Sequence, residues 1–186
     1  MSNTLTFTLV QSNLHWEDAA ANLQMFEANI AAITTPKQIV ILPEMFTTGF
    51  SMQPQKLAET MNGLTVNWML RMAQQHRIII AGSVMIREND VFYNRFLWVQ
   101  PNGQIHSYDK RHLFAYGGEH EHYTPGNERI IVQANGWKIL LQICYDLRFP
   151  VWARQQPNNI LYDAIIYVAN WPERRSHAWR TLLQAR

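Results

Sequence analysis

The chain is short of cysteine, with Cys144 alone among 186 residues. A single cysteine cannot form an internal disulfide, which suits a reducing compartment. The N-terminus has no basic segment ahead of its short apolar run, so it is not typical of a signal peptide. No apolar run reaches the roughly 18 residues that cross a bilayer. These absences predict a cytoplasmic protein without a membrane partner.

The chain also lacks a strong excess of charge of either sign. Its formal net charge is only +2, and its lysines and arginines are scattered, so no nucleic-acid-binding surface is predicted. His120 and His122, with His112 nearby, could suggest a metal site. Zinc sites show three or four ligands at recognisable spacings, and this group lacks a clear fourth. We therefore predict neither a metal nor another cofactor.

What the chain does contain is enough apolar sequence for one core. Hydrophobic residues make up 47% of the chain, and its length favours a single domain over residues 1–186. Helical crossovers mixed with hairpins predict a layered α/β fold with a mixed sheet. Alternating or continuous apolar runs predict strands at 5–11, 38–44, 78–88, 91–100, 104–110, 136–144 and 163–170. Apolar stripes predict helices at 18–33, 65–76 and 173–186, the first with Asp18 as N-cap.

Residues with reactive or polar side chains stand where four of these strands end. Glu44, Lys110, Cys144 and Asn170 each follow an apolar run, and open α/β sheets bind ligands at the carboxyl ends of their strands. If the first three meet, Glu44 could take the thiol proton and Lys110 could stabilise an oxyanion. The backbone N–H of Tyr145 could be a second oxyanion donor. The chemistry would be a covalent acyl-thioester that water later hydrolyses.

Simpler interpretations of the same residues remain open at this point. A buried cysteine at a strand end is most often a packing residue. Glu44 could be an ordinary carboxylate at a strand exit, and Lys110 a solvated surface charge. A Cys–His pair is a further alternative, although none of the seven histidines has a telling sequence context.

Four segments of the sequence together favour the catalytic interpretation. "LPEMFTTGF", "YDKRHLF", "ICYDLRFPVWAR" and "YVANWP" with "HAWRTLLQAR" resemble the carbon–nitrogen hydrolase (nitrilase) superfamily, and most closely its omega-amidase branch. The resemblance implies an αββα sandwich that forms a four-layer homodimer. It implies that Glu44 is the general base, Lys110 the oxyanion stabiliser and Cys144 the nucleophile. Members of this family normally continue beyond the equivalent of "LLQAR", so we expect that the C-terminal part of the domain is missing.

The resemblance also implies a second catalytic glutamate and a set of substrate contacts. The spacing to Pro125 favours Glu119 over Glu121 as the residue that orients Lys110. Arg148 resembles a clamp for the distal carboxylate of the substrate, because a guanidinium can bind a carboxylate through two hydrogen bonds. The structural alternative for Arg148 is an ion pair with Asp146 or a contact at the start of a helix. The remaining predicted substrate contacts are Tyr145, Phe50, Asn170 and Trp171.

The implied activity is hydrolysis of the terminal amide of a small dicarboxylic monoamide, such as 2-oxoglutaramate, 2-oxosuccinamate or succinamate, by water. The alternatives are another hydrolase of the superfamily, acting on N-carbamoyl compounds or modified glutathione, and an inactive member that serves as a binding or scaffold protein. The carboxylate anchor that Arg148 offers favours the first, and the complete set of Glu44, Lys110, Glu119 and Cys144 argues against the last.

Overall fold

Two mixed β-sheets packed face to face form the centre of the protein. A computed structural model describes residues 4–35, 38–155 and 161–186. The strands are β1 Phe7–Leu9, β2 Ile39–Ile41, β3 Ile79–Glu88, β4 Val91–Val99, β5 Ile105–Asp109, β6 Ile131–Ala134, β7 Trp137–Ile143 and β8 Ala164–Val168. The α-helices are α1 Ala19–Ala31, α2 Pro54–Leu57, α3 Leu64–His76, α4 Glu119–His122, α5 Pro150–Ala153 and α6 Ser176–Ala185. Three short 3-10 helices span Ala115–Gly117, Cys144–Arg148 and Glu173–Arg175.

The larger sheet has the order β1-β2-β3-β4-β5, and the smaller has the order β6-β7-β8. The first three strands run parallel, and β3, β4 and β5 form antiparallel hairpins. In the smaller sheet, β7 is antiparallel to β6 and parallel to β8. The predicted mixed α/β arrangement is therefore confirmed.

Both faces of the larger sheet are buried, which the continuous apolar run of β2 predicts. Val40 points towards α1 and α3, where it joins Phe26 and Met69 in one core cluster. Its neighbours Ile39 and Ile41 point the other way and pack against the smaller sheet. The layers are thus helix, sheet and sheet, and a side chain that leaves the end of a strand between the two sheets is shielded from water.

The predicted helices form, and their ends follow the expected chemistry. Asp18 caps α1 by accepting a hydrogen bond from the backbone of Ala21 at 3.0 Å, as its side chain predicts. Helix α3 ends at His76, and Arg77 caps it in the left-handed conformation at φ 53°. None of the described helices is long and apolar enough to cross a membrane.

One hairpin was not predicted, although its signal is present. Asn135 and Gly136 both have positive φ, at 50° and 86°, and they connect β6 to β7. Asn-Gly is the preferred pair for a tight two-residue hairpin turn. Strand β6 was not predicted because it has only 4 residues, too few for an alternation of apolar and polar residues to be recognised. The adjacent strand β7 is where the prediction places it, and it ends immediately before Cys144.

Candidate active site

The most unusual feature of the interior is a fully buried ion cluster. The Lys110 ammonium lies 2.8 Å from Glu44 Oε1 and 2.8 Å from Glu119 Oε2, and none of these side chains is exposed. The Asn94 side-chain amide donates to both carboxylates, at 2.9 Å to Glu44 and 3.0 Å to Glu119. Buried charges are costly unless they are paired and hydrogen-bonded. This cluster meets that condition with several hydrogen bonds.

Three different parts of the chain bring these groups together. Glu44 follows β2, and Lys110 follows β5 directly, with its backbone N–H bonded to the carbonyl of Asn94 on β4 at 3.0 Å. Gly126 fixes the other side of Lys110 by donating to its carbonyl at 3.0 Å. A Cβ on Gly126 would stand 2.3 Å from the backbone oxygen of Asp109, so only glycine permits this approach.

The second glutamate of the cluster is Glu119. It begins α4 and is fully buried, whereas Glu121 is exposed. The carboxylate of Glu119 also accepts a hydrogen bond from the Phe114 backbone at 2.6 Å, which ties the following loop to the cluster. Burial raises the pKa of Glu119, and the charge of Lys110 opposes that rise. Burial alone lowers the pKa of Lys110, but the charges of Glu44 and Glu119 outweigh this effect and hold that pKa above its usual value.

Cys144 lies against this cluster in a strained backbone conformation. It follows β7 and opens a 3-10 helix with φ 42°, a region that residues other than glycine rarely occupy and that costs roughly 1–3 kcal/mol. Only 8% of the residue is exposed. Burial raises the pKa of the thiol well above its ordinary value, and the negative charge of Glu44 adds to the rise. The free site therefore holds a neutral thiol beside a carboxylate that can accept its proton.

The strained turn is held by the buried carboxylate of Asp146. Its oxygens accept hydrogen bonds from the Ile143 backbone at 3.0 Å, the Tyr108 hydroxyl at 2.7 Å and the His112 backbone at 2.9 Å. The His112 ring lies a further 2.8 Å away. Asp146 therefore stabilises the turn that carries Cys144. Among the described residues it makes no ion pair with Arg148, so that part of the structural alternative for the arginine is not formed.

A pocket opens in front of Cys144 and holds about 430 Å³ of empty space, which includes part of its open mouth. The predicted substrate-binding residues all lie on its wall: Phe50, Tyr145, Arg148, Asn170 and Trp171. Asn170 also joins the pocket to the cluster, because its backbone N–H donates to Glu44 Oε2 at 2.8 Å. Tyr145 is the second residue of its 3-10 helix, where backbone N–H groups lack a partner within the helix.

The structure also bears on three alternatives left open by the sequence: a Cys–His pair, a solvated Lys110 and a metal site. The charged groups that act on the thiol are Glu44, Lys110 and Glu119, and no histidine is among them. Lys110 is buried rather than solvated. Within the described ranges, no group of three or more histidine, cysteine, aspartate or glutamate side chains could hold a metal ion.

Sequence reasoning missed several residues of the site. Asn94 was overlooked, although a polar residue inside the apolar strand β4 is a signal of a buried hydrogen-bonded role. Phe114 and Arg175 line the pocket. Phe114 lies in an irregular segment, where periodicity carries no information, and Arg175 lies at the start of the predicted helix 173–186, where the structure forms the 3-10 helix Glu173–Arg175. Their positions depend on how the loops close over the two sheets.

Two mixed sheets with a buried Glu–Lys–Cys cluster at their strand ends are features of a carbon–nitrogen hydrolase, and the comparison with known families agrees. The profile of the Carbon-nitrogen hydrolase family matches residues 6–186. The chain belongs to this family.

Similar proteins place it more narrowly. The chain is 48% identical over 182 residues to the Omega-amidase YafV of Escherichia coli, a match covering 98% of this chain and 69% of the relative. It is 32% identical to the 2-oxoglutaramate amidase of Bacillus subtilis, covering 97% of this chain and 71% of that protein. Among solved structures, the carbon–nitrogen hydrolase XC1258 of Xanthomonas campestris superposes with a TM-score of 0.91 at 43% identity, over 96% of this chain and 69% of that one. These matches confirm the nitrilase-type fold.

The buried cluster predicts a large cost for removing its cation. Lys110→Met leaves two buried carboxylates without their partner, so we expect a loss of about 3–5 kcal/mol in the free energy of unfolding, measured with urea. Without Lys110, the pKa of Glu119 rises further above its unfolded value. Stability from such a carboxyl is present at low pH and is lost as the pH rises through the folded pKa. The deficit should therefore be larger at about pH 8 than at about pH 5.

The matched control is Lys56→Met. Lys56 is 69% exposed and lies 3.9 Å from Glu17, so its removal should change stability by less than about 1 kcal/mol. Equal losses for the two variants, or a Lys110→Met deficit that grows as the pH falls, would contradict the charge-compensation argument.

The burial of Cys144 predicts a thiol that stays protonated in the free protein. Because burial and Glu44 raise its pKa, the thiol should ionise only at a higher pH than the thiol of a free cysteine does. The ultraviolet absorbance of the thiolate, measured against Cys144→Ser across a pH series, reports this directly. A thiolate already formed at neutral pH would mean that the thiol is activated before substrate arrives.

Proposed function

We propose that the protein is an omega-amidase, which hydrolyses the terminal amide of small dicarboxylic monoamides such as 2-oxoglutaramate, 2-oxosuccinamate and succinamate to the acid and ammonia. The observation that carries the proposal is one pocket lined by both Cys144 and Arg148, with the buried Glu44–Lys110 pair behind Cys144. The first group can open an amide, and the arginine can bind a carboxylate at the far end. The names of the two amidase relatives support the same activity.

Acylation begins when Glu44 takes the proton of Cys144 as the sulfur attacks the carbonyl carbon of the amide. The carbon–oxygen double bond becomes a single bond, and the resulting oxyanion is stabilised by Lys110 and the backbone N–H of Tyr145. The Lys110 ammonium has three N–H donors. When both oxygens of Glu119 accept from one of them and Glu44 accepts from another, the remaining N–H is available for the oxyanion. The oxyanion then collapses, the carbon–nitrogen bond breaks, and the leaving nitrogen takes the proton from Glu44 to depart as ammonia.

Deacylation uses the same groups in the reverse sense. Ammonia leaves a space beside the thioester that a water molecule can occupy. Glu44 removes a proton from this water as its oxygen attacks the thioester carbonyl, and the second oxyanion binds to the same donors. Collapse breaks the carbon–sulfur bond, and the proton returns from Glu44 to the sulfur. One water is consumed, and Cys144 is restored as a neutral thiol.

Arg148 is suited to hold the other end of the substrate. Its side chain is exposed, and its guanidinium lies 5.7 Å from the centre of the Trp171 ring. Within the described residues, no hydrogen bond or ion pair occupies that guanidinium. An arginine held by stacking keeps its N–H fork available for a planar carboxylate. A hydrolase of N-carbamoyl compounds or of modified glutathione would share Cys144 and the buried cluster, and would differ at the end of the pocket where Arg148 lies.

The test of this function is ammonia release from 2-oxoglutaramate and succinamate by the purified protein and two variants. We expect the wild type to be active and Cys144→Ala to lose at least about 1,000-fold in kcat, because no nucleophile remains. Arg148→Ala should mainly raise KM for these acids, with a smaller effect on neutral amides. A wild type that ignores both substrates while Cys144 still reacts with iodoacetamide would overturn the omega-amidase proposal and move the search to carbamoyl and peptide-like amides.

We also propose that the protein works as a cytoplasmic homodimer. A dimer that pairs through helices is implied by the family resemblance, and α6 supports it because none of its residues is buried within one chain. Light scattering should give twice the 21.8 kDa mass of the chain, and a monomer at micromolar concentration would refute the dimer.

The single cysteine supports the proposed location in the cytoplasm, and cell fractionation that recovers the protein elsewhere would refute that location.

A further inference from the structure

The pocket contains a second guanidinium to which neither the sequence reasoning nor the proposed mechanism assigns a role. Arg175 ends the 3-10 helix Glu173–Arg175 and lines the same pocket as Cys144 and Arg148. Its neighbour Arg174 is exposed and does not line the pocket. Two successive arginines therefore have different surroundings, and only one of them faces the candidate site.

The position of Arg175 is fixed by contacts that leave its charged end unused. Its backbone N–H donates to Pro172 at 2.9 Å, and its carbonyl accepts from the Trp171 indole at 2.8 Å. Its guanidinium carbon lies 5.1 Å from the centre of the Phe114 ring. Stacking of this kind orients a guanidinium without occupying its N–H donors.

The guanidinium of Arg175 also lacks a partner. Its Nε is buried and makes no hydrogen bond, and within the described residues no carboxylate forms an ion pair with it. Unsatisfied buried donors are rare in native proteins, and leaving one unpaired costs roughly 1–3 kcal/mol or more when the group is charged. A ligand with acceptor oxygens that enters the pocket would supply the missing partner.

The electrostatics of the pocket specify what that ligand should be. With Glu44 and Glu119 ionised, the cluster holds two carboxylates against one ammonium and so keeps a net negative charge. A substrate carboxylate is repelled from that end and attracted to Arg148 and Arg175 on the wall. The two arginines thereby favour the orientation that places the amide, and not the acid, next to Cys144.

We infer that Arg175 is a specificity-determining residue that binds the substrate carboxylate together with Arg148. This inference rests on the proposed amidase function and deepens it. It names the substrate class as anionic monoamides and attributes the preference to two guanidinium groups. Arg175 acts on binding and orientation and takes no part in the bond-breaking steps.

The experiment compares succinamate with butyramide, a neutral amide with a chain of the same length. For Arg175→Gln we expect KM for succinamate to rise about 10- to 100-fold, the range for losing a hydrogen bond to a charged group, with kcat nearly unchanged. Values of kcat/KM for butyramide should change less than about 3-fold, because that substrate has no carboxylate. Arg175→Lys should fall between, since it keeps the charge and loses the fork.

The matched control is Arg174→Gln, which removes the same charge one residue away and should leave both substrates unaffected. Calorimetric binding of succinamate to Cys144→Ala protein, with and without Arg175→Gln, gives a readout that does not need turnover. If Arg175→Gln binds and hydrolyses succinamate like the wild type, Arg175 has no role in specificity, and the amidase function stands. If the wild type turns over butyramide and not succinamate, the proposed function and the carboxylate preference attributed to Arg175 are both overturned.

Discussion

The site depends on one buried ammonium group, that of Lys110. Two glutamates and a cysteine could not share a water-free space without it, because each carboxylate would lose its hydration and repel the other. Lys110 lies within 2.8 Å of a carboxylate oxygen on each glutamate, and Asn94 adds a donor to both. The cluster therefore has a structural role of its own, apart from any role in catalysis. The ammonium compensates enough of the carboxylate charge for Glu44, Glu119 and Cys144 to lie side by side in the interior.

The two sheets place this unit where substrate can reach only one side of it. Glu44, Lys110 and Cys144 come from the ends of β2, β5 and β7, so the rigid strands fix their spacing and the turns beyond them form the pocket. The strained φ of Cys144 is maintained by Asp146, whose hydrogen bonds tie the turn to β5 and β7. Preorganisation of this kind removes the need for the groups to move when charge develops.

Much of this arrangement can be predicted from sequence because it follows from strand ends. Apolar runs that stop at Glu44, Lys110 and Cys144 place these residues at strand ends without any knowledge of the tertiary fold, whereas the sequence does not show that Cys144 belongs to the second sheet. The choice of Glu119 over Glu121 rested on motif spacing, and burial separates them in the structure. Asn94 and Arg175 could not be assigned a partner in advance, because each gains its role from residues far away in sequence or from the closure of loops. The positive φ of Cys144 leaves no signal, since cysteine has no special preference for that region.

The separation of charge along the pocket also has a consequence for turnover. Hydrolysis converts the neutral amide next to Cys144 into a carboxylate, so the product carries a negative charge at the end where Glu44 and Glu119 already lie. In the proposed binding mode, the substrate has no charge at that end, and its distal carboxylate meets the same arginines before and after the reaction. The carboxylates of Glu44 and Glu119 would then disfavour the charged product relative to the neutral amide, while Lys110, which stabilises the oxyanion, offsets part of that repulsion.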